Sequence, residues 1–212
     1  MIEDLACTMY LLAHDAAAEG PYDRGRTELL VRAAALIDLA ARGRLKEDGG
    51  TVVESGGEPT GAPVLDGVLR DIGAGHSWKH LVRRHRKRTL TAVEDRLVAA
   101  GLLTVKPTRT RLGGRRLMVT RHAETADARS RVIVAMHGDT PVREIPVADA
   151  ALLALTAAGR VRTVLSRQDR ETHRDRIDAC TQSLAALAPG LEKAVRALPM
   201  TMVAARGGMG GG

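Results

Sequence analysis

The stretch that decides the fold is residues 27–41, which read TELLVRAAALIDLAA, with Thr27 as the expected N-cap. From Leu29 onward only Arg32 and Asp38 interrupt the apolar sequence, so apolar side chains cover every side of the helix. A helix that is apolar all round is buried all round, because it presents no face to water. We therefore predict a central, buried helix that ends near Gly43.

Helical spacing of apolar residues marks much of the remaining chain, and predicts helices at 2–14, 63–72, 77–84, 88 or 89–101, 126–136, 147–158, 168–187 and 191–203. Asp48-Gly49-Gly50 favours the tight turn of a hairpin, and a second hairpin is expected around Gly113-Gly114. The predicted fold class is mainly α: a single helical domain around a central buried helix, with one or two small β-hairpins. Residues 1–206 are assigned to this domain, and residues 207–212 to a disordered Gly-rich tail.

Composition restricts the possible classes of function. The 212 residues suit one domain, and 44% apolar with 27% charged residues is ordinary for a globular protein. One Trp, two Tyr and no Phe disfavour proteins that stack bases on several aromatic rings. Cys7 and Cys180 lie far apart without a CxxC motif, which disfavours a disulfide framework or a zinc knuckle. No apolar run reaches the ~18 residues of a membrane span, and Glu3 and Asp4 do not suit a signal peptide, so a cytoplasmic protein is expected.

Sequence motifs of catalysis are missing. The chain has no GxxxxGK[ST], GxSxG, HExxH or protein-kinase signature, so we expect no enzyme activity, no cofactor and no metal. One acid-rich segment near the C-terminus is interpreted as a solvated, salt-bridged helix face, because its acids alternate with arginines. Its charged residues are Asp169, Glu171, Asp175 and Asp178 with Arg167, Arg170, Arg174 and Arg176.

Positive charge is concentrated in one fifth of the chain. Residues 79–122 contain 13 Lys and Arg against Glu94 and Asp95, which gives +11 and leaves −4 for the rest of a chain whose net charge is +7. A basic segment on an acidic body is typical of a protein that binds a polyanion, either nucleic acid or an anionic membrane surface. The alternative is a solvated Arg-rich face without a partner, which the depletion of acids in this segment disfavours.

Three stretches, in their order and separation, resemble the Golgi phosphoprotein 3-like family, which has bacterial and especially actinobacterial members. They are LIDLAARGRL at 36–45, PTGAPVLD at 59–66 and DRLVAAGLL at 95–103, which leads into the basic hairpin. The resemblance implies a mostly α-helical fold around a buried central helix, with a β-hairpin that touches membrane. It also implies binding of phosphatidylinositol 4-phosphate and an adaptor role for membrane enzymes, as in the eukaryotic members, and no established catalytic site.

The family's lipid pocket uses a Trp before the central helix, an Arg within it, and two Arg before the hairpin. Matched on residues 42–45, Arg32 falls on the central Arg, and the Trp position falls at Asp23, beside Tyr22. The resemblance thus implies a headgroup site formed by Tyr22, Arg32, Arg84, Lys87 and Arg88. It implies a membrane-contacting hairpin that includes Arg109, Arg111, Leu112, Arg115 and Arg116.

The predicted function is a peripheral membrane protein that binds anionic phospholipid, such as phosphatidylinositol 4-phosphate, at the inner face of the membrane. A client membrane enzyme and a homo-oligomer are further possible partners. The alternative is a winged-helix DNA-binding protein, in which residues 79–88 contact phosphate and the loop around Arg111 enters a groove. For Arg32 itself the alternative to anion binding is a buried ion pair with Asp38 or a distant acid. Trp78 is expected to pack in the core.

Overall fold

The computed structural model describes residues 4–106 and 116–207, with side chains up to residue 204. The helices are α1 (Leu5–Ala13), α2 (Arg24–Ala41), α3 (Pro63–Arg70), α4 (Trp78–Arg83), α5 (Arg86–Ala99), α6 (His122–His137), α7 (Val147–Gly159), α8 (Arg167–Thr172), α9 (Arg174–Ser183), α10 (Pro189–Arg196) and α11 (Leu198–Gly207). The strands are β1 (His14–Asp15), β2 (Gly20–Pro21), β3 (Leu45–Asp48), β4 (Thr51–Glu54), β5 (Leu103–Lys106) and β6 (Arg116–Val119). They pair as three separate antiparallel ribbons, so the predicted mainly α class is confirmed.

Helix α2 is the centre of the molecule, as its sequence predicts. Helices α1, α5 and α7 pack around it, and its residues from Thr27 to Ile37 are all buried. The predicted start is wrong: the helix begins at Arg24, where Asp23 Oδ1 accepts a hydrogen bond from the Arg26 amide at 3.1 Å. Thr27 lies inside the helix because Asp23, one turn earlier, provides the N-cap. The helix ends at Ala41, and Gly43 takes the left-handed φ of +68° that follows such an end.

Close approach between α2 and α7 depends on a glycine. A Cβ built at Gly159 would lie 2.5 Å from Leu30 Cδ1, so a side chain there would displace the core.

Trp78 is 1% exposed and donates its indole N–H to Glu47 Oε2 at 3.1 Å. The core is therefore built mainly from aliphatic residues with the rings of Trp78 and Tyr10 among them, and Trp78 packs as expected.

The hairpins follow the turn chemistry of the sequence. Gly49 and Gly50, with φ of 54° and 80°, connect β3 to β4 in the primed geometry that suits a two-residue turn. Strands β5 and β6 pair from Leu103↔Val119 to Lys106↔Arg116, and residues 107–115 lie outside the described part of the chain. The β1–β2 pair was not predicted, since strands of two residues leave no alternating pattern.

Two predicted C-terminal helices are each divided. The segment 168–187 forms α8 and α9, which meet at His173, followed by a 3₁₀ turn at Leu184–Ala186. The segment 191–203 forms α10 and α11, and the break falls beside Pro199, which has no N–H for a continuous helix. The predicted tail boundary at residue 207 falls on the last residue of α11, and residues 208–212 lie outside the described residues.

Candidate functional site

A basic cleft opens beside the junction of α4 and α5. Its volume is about 1080 Å³, and five of its nine lining residues are Lys or Arg while none is acidic. We call it the α4–α5 cleft, lined by His76, Ser77, Lys79, His80, Arg83, Arg84, His85, Arg86 and Lys87. Such a surface attracts anions, because the positive charges share one concave space without carboxylates among them.

Local backbone geometry positions these side chains. Ser77 caps the N-terminus of α4. The carbonyl of the preceding residue, His76, accepts a hydrogen bond from the Val52 amide at 2.8 Å, which ties the cleft to strand β4. Between the two helices His85 takes a left-handed φ of 54°, a conformation that is uncommon for residues other than glycine. The sharp turn at His85 places the ends of both helices against the same cleft.

Arg84 is held by two histidines. Its Nη1 lies 2.5 Å from His76 Nε2, and its Nε donates to His85 Nε2 at 2.9 Å. A guanidinium can only donate, so each imidazole accepts on its Nε2. Burial, with His80 and Arg84 nearby, lowers the pKa of His76 below its usual value. The guanidinium is therefore oriented without neutralisation of its charge.

Carboxylates compensate only part of the positive charge. Among the described residues, no acid lies within ion-pair distance of Lys79, Arg83, Arg84 or Lys87, whereas Arg86 Nε pairs with Glu28 Oε2 at 3.1 Å. Four cations in the cleft therefore lack an opposite charge, which a bound anion would supply.

Arg32 lies directly beneath this junction and is fully buried, with 0% of its surface exposed. Its Nε donates to the Leu81 carbonyl and its Nη1 to Thr89 Oγ1, both at 3.1 Å. Its Nη2 is buried and has no hydrogen-bond partner within the described chain. Burial, reinforced by the charge of Arg84 and opposed by that of Asp71, lowers the pKa of Arg32 to about 10.

The ion pair between Arg32 and Asp38 that the sequence left open is absent. Asp38 Oδ2 accepts the Leu5 amide at 2.9 Å, and its Oδ1 pairs with Arg42 at 2.7 Å. Arg32 and Asp38 are six residues apart on α2, which places them on different sides of the helix. At neutral pH Arg32 is thus a buried cation whose direct partners are neutral oxygens.

Membership of a family follows from comparison of the whole chain. The family model for Golgi phosphoprotein 3 (GPP34) matches residues 5–198. The chain belongs to this family. No curated protein matches the chain significantly. The family resemblance drawn from the sequence is thereby confirmed, and the central buried helix that it implies is observed.

Within this Golgi phosphoprotein 3 family member, the residues of the expected headgroup site lie in different surroundings. Arg84 and Lys87 line the α4–α5 cleft, whereas Arg32 lies beneath it. Arg88 points to Asp71 Oδ1 at 3.0 Å, and Tyr22 is half-buried where β2 leads into α2; neither lines the cleft. The structure therefore brings together the cations before the hairpin and does not add the aromatic residue to them.

Most of the predicted membrane-contacting hairpin is not part of the described structure. Arg109, Arg111, Leu112 and Arg115 lie outside the described residues. Arg116 starts β6, is exposed, and its Nη1 lies 3.5 Å from Glu19 Oε2. The hairpin therefore stays a prediction, anchored by a β5–β6 base that the structure describes.

Some cleft residues of this family member were not selected for the headgroup site from the sequence. Lys79, His80 and Arg83 were included only in the basic segment and in the phosphate-contacting range of the DNA-binding alternative, and His76 was assigned no role. The rings of His76 and His80 stack with centroids 4.3 Å apart at the cleft wall. The charge run itself signalled Lys79 and Arg83, whereas the position of the histidines depends on the tertiary fold.

None of the described helices combines the length and the apolar character that crossing a membrane requires. In the same part of the chain, no group of three or more His, Cys, Asp and Glu residues is arranged to hold a metal ion.

Proposed function

We propose that this Golgi phosphoprotein 3 family member is a peripheral membrane protein that binds anionic phospholipid at the α4–α5 cleft. The preferred ligand is a phosphoinositide such as phosphatidylinositol 4-phosphate, and the site binds rather than catalyses. The observation that carries the proposal is the set of four cations, Lys79, Arg83, Arg84 and Lys87, without a carboxylate partner in one cleft. A membrane at its cytoplasmic face supplies anions at high local density.

Charge alone gives weak binding. Each Lys or Arg near an anionic surface contributes roughly 1 kcal/mol, so four contribute about 4 kcal/mol, equivalent to a dissociation constant of about 1 mM. Stable docking therefore needs further contacts from the hairpin, from a directed headgroup contact, or from several copies in an oligomer. A client membrane enzyme fits this proposal as a further partner on the same surface.

Arg32 supports a preference for phosphate monoesters. Its hydrogen bonds to Leu81 and Thr89 join α4, α5 and α2 beneath the cleft, and its charge lies where water is excluded. A buried charge interacts more strongly with an anion than an exposed one, because the local dielectric constant is lower. Its Nη2, buried and without a partner among the described residues, is the donor that a headgroup reaching beneath the cleft would engage.

The test is co-sedimentation with vesicles of phosphatidylcholine alone, and with phosphatidylserine or phosphatidylinositol 4-phosphate added at equal anionic charge. We expect pelleting with anionic vesicles only, strongest with the phosphoinositide, and weaker as salt rises. The variant Lys79→Ser/Lys87→Ser should bind about 30-fold more weakly, from two lost surface charges. The matched control is Lys46→Ser/Lys193→Ser, since both lysines are exposed and lie outside the cleft.

Equal loss in both double variants would mean that net charge, not the cleft, determines binding. A duplex DNA gel shift at the same salt tests the winged-helix alternative, for which α5, β5 and β6 occur in the required order. DNA binding without vesicle binding would replace the lipid proposal.

A further inference from the structure

A second cluster of arginines, at residues 160–174, follows the residues of the α4–α5 cleft in the sequence. A groove of about 710 Å³ separates the end of α7 from α8 and the start of α9. We call it the arginine groove, lined by Arg160, Arg162, Ser166, Arg167, Arg170, Glu171 and Arg174. Five of its seven lining residues are Arg and one is acidic, so the groove carries one positive charge fewer than the α4–α5 cleft.

One arginine of the groove is neutralised and the others are not. Arg167 Nε pairs with Glu171 Oε1 at 2.7 Å, which uses the single lining carboxylate. Arg170 Nη1 donates to the Leu165 carbonyl at 2.8 Å, a neutral acceptor. Within the described residues, Arg160, Arg162 and Arg174 make no side-chain hydrogen bond and no ion pair. The expected salt-bridged face is thus correct for Arg167, whereas Arg170 and Arg174 of that face make no ion pair with the described residues.

Repulsion between the arginines of the groove contributes to a lowered pKa at Arg170. Burial lowers the pKa of Arg170, and the charges of Arg160 and Arg162 lower it further. Arg160 also takes a left-handed φ of 51° at the end of α7, where glycine is the usual residue. The nearby charges of Asp169 and Glu171 oppose the lowering of the Arg170 pKa only in part, so the protein holds like charges together, and Arg160 among them takes an uncommon backbone conformation.

Two contacts place the groove at the hairpin end of the molecule. Thr163 Oγ1, in the loop that carries Arg162, donates to the Leu12 carbonyl at 2.6 Å, at the end of α1. Two residues later in the chain, His14 Nε2 lies 2.8 Å from the carbonyl of Leu117 in β6. The loop of the groove and the base of the β5–β6 hairpin therefore contact the same end of α1.

We propose that the arginine groove is a second anion-binding site, which takes a phosphate group through the guanidinium groups of Arg162, Arg170 and Arg174. Planar guanidinium groups bind phosphate oxygens in pairs, which lysines cannot do. The source of the phosphate is a lipid headgroup of the same membrane, because the groove lies at the hairpin end; this assignment of the source rests on the proposed function. The site itself rests on the uncompensated arginines alone.

The decisive experiment compares four forms of the full chain: wild type, the groove variant Arg162→Ala/Arg174→Ala, the cleft variant Lys79→Ser/Lys87→Ser, and the control Arg129→Ala/Arg143→Ala. The groove residues changed are exposed and unbonded, so thermal unfolding should match wild type. Arg129 and Arg143 are exposed and lie outside both sites, which matches the charge lost. Calorimetric titration with inositol hexakisphosphate counts soluble anion sites, and pelleting with phosphatidylinositol 4-phosphate vesicles measures membrane binding.

We expect two inositol hexakisphosphate sites in wild type and in the control, and one in the groove variant. Vesicle affinity of the groove variant should fall about 30-fold by the loss of two arginines near the surface. Two soluble sites in the groove variant, with vesicle affinity equal to the control, would overturn the second site while the cleft proposal stands. No vesicle binding by wild type, with the groove variant still losing one soluble site, would overturn the proposed function and keep the groove as a site for soluble phosphates. Binding of polyglutamate but not inositol hexakisphosphate at the groove would overturn the choice of phosphate.

Discussion

Replacement of Arg32 by Met tests whether this buried arginine serves stability or ligand binding. Burial lowers the pKa of Arg32 to about 10, so the charge destabilises the folded state by about 3 kcal/mol at neutral pH. Met is apolar and similar in length, so Arg32→Met removes that cost. It also removes the hydrogen bonds to Leu81 and Thr89, each of which contributes roughly 1–1.5 kcal/mol.

These opposing contributions nearly cancel, so the free energy of unfolding of Arg32→Met should differ from wild type by less than about 1 kcal/mol. For a domain of this size that corresponds to a change in Tm of about 2–4 °C at most. Arg32→Ala instead leaves a cavity in the core and should cost about 3–5 kcal/mol. Urea unfolding of the three proteins gives the comparison, with Arg32→Met as the form that stays folded.

In Arg32→Met, the preference for phosphatidylinositol 4-phosphate over phosphatidylserine should change although the stability does not. The loss of one buried, charge-assisted contact of about 1.5–3 kcal/mol lowers affinity for phosphatidylinositol 4-phosphate about 10- to 100-fold. Binding to phosphatidylserine vesicles, which depends on the exposed cations, should be nearly unchanged. Destabilisation of Arg32→Met by more than 3 kcal/mol, or an intact phosphoinositide preference in a stable Arg32→Met protein, would refute the reasoning.

Three further predictions follow from titrating and packed groups. Since the pKa of His76 is lowered, it gains its proton only below its usual range, and affinity for phosphatidylglycerol vesicles should rise about fivefold from pH 7 to pH 5; His76→Gln should flatten this profile. His14 is buried with a lowered pKa, so the unfolded state binds more protons below about pH 6.5, and Tm should fall as pH drops from 6.5 to 5, less so in His14→Gln. Gly159→Ala should cost about 1–3 kcal/mol in urea unfolding, since its Cβ would meet Leu30, whereas Gly67→Ala, whose Cβ would make only an ordinary contact with Arg70 Nη2 at 3.9 Å, should stabilise by about 0.5–1 kcal/mol.

The central helix and the hairpin turns could be predicted because their signals are local. Apolar residues on every side of 29–37 leave burial as the only outcome, and adjacent glycines at 49 and 50 specify the β3–β4 turn. The division of segment 168–187 at His173 could not be predicted. Charged residues on both sides of His173 leave no continuous apolar stripe, and a shift in such a stripe is what would reveal the break.

The candidate site was predictable in charge and not in geometry. A count of charges identifies the segment that contains Lys79 and Lys87, because depletion of acids is visible in sequence. The partners of Arg32 are a backbone carbonyl and a threonine 49 and 57 residues away, and no spacing rule connects them. The arginine groove was missed for the same reason: Arg160 follows the end of α7 and Arg174 begins α9, and only the fold brings them to one groove.

Two weak anion sites act differently from one strong site when both reach the same surface. Binding at the α4–α5 cleft holds the arginine groove near the membrane, so the second contact forms at a high effective concentration and the two affinities multiply. The groove and the cleft each contribute positive charges whose attraction to the membrane is screened by salt. Binding through both sites must therefore weaken more steeply with ionic strength than binding through either site alone. Loss of the groove should therefore reduce both the affinity and its salt dependence, whereas loss of an apolar contact would reduce affinity alone. The slope of binding against salt thus reports how many charged sites reach the membrane at once.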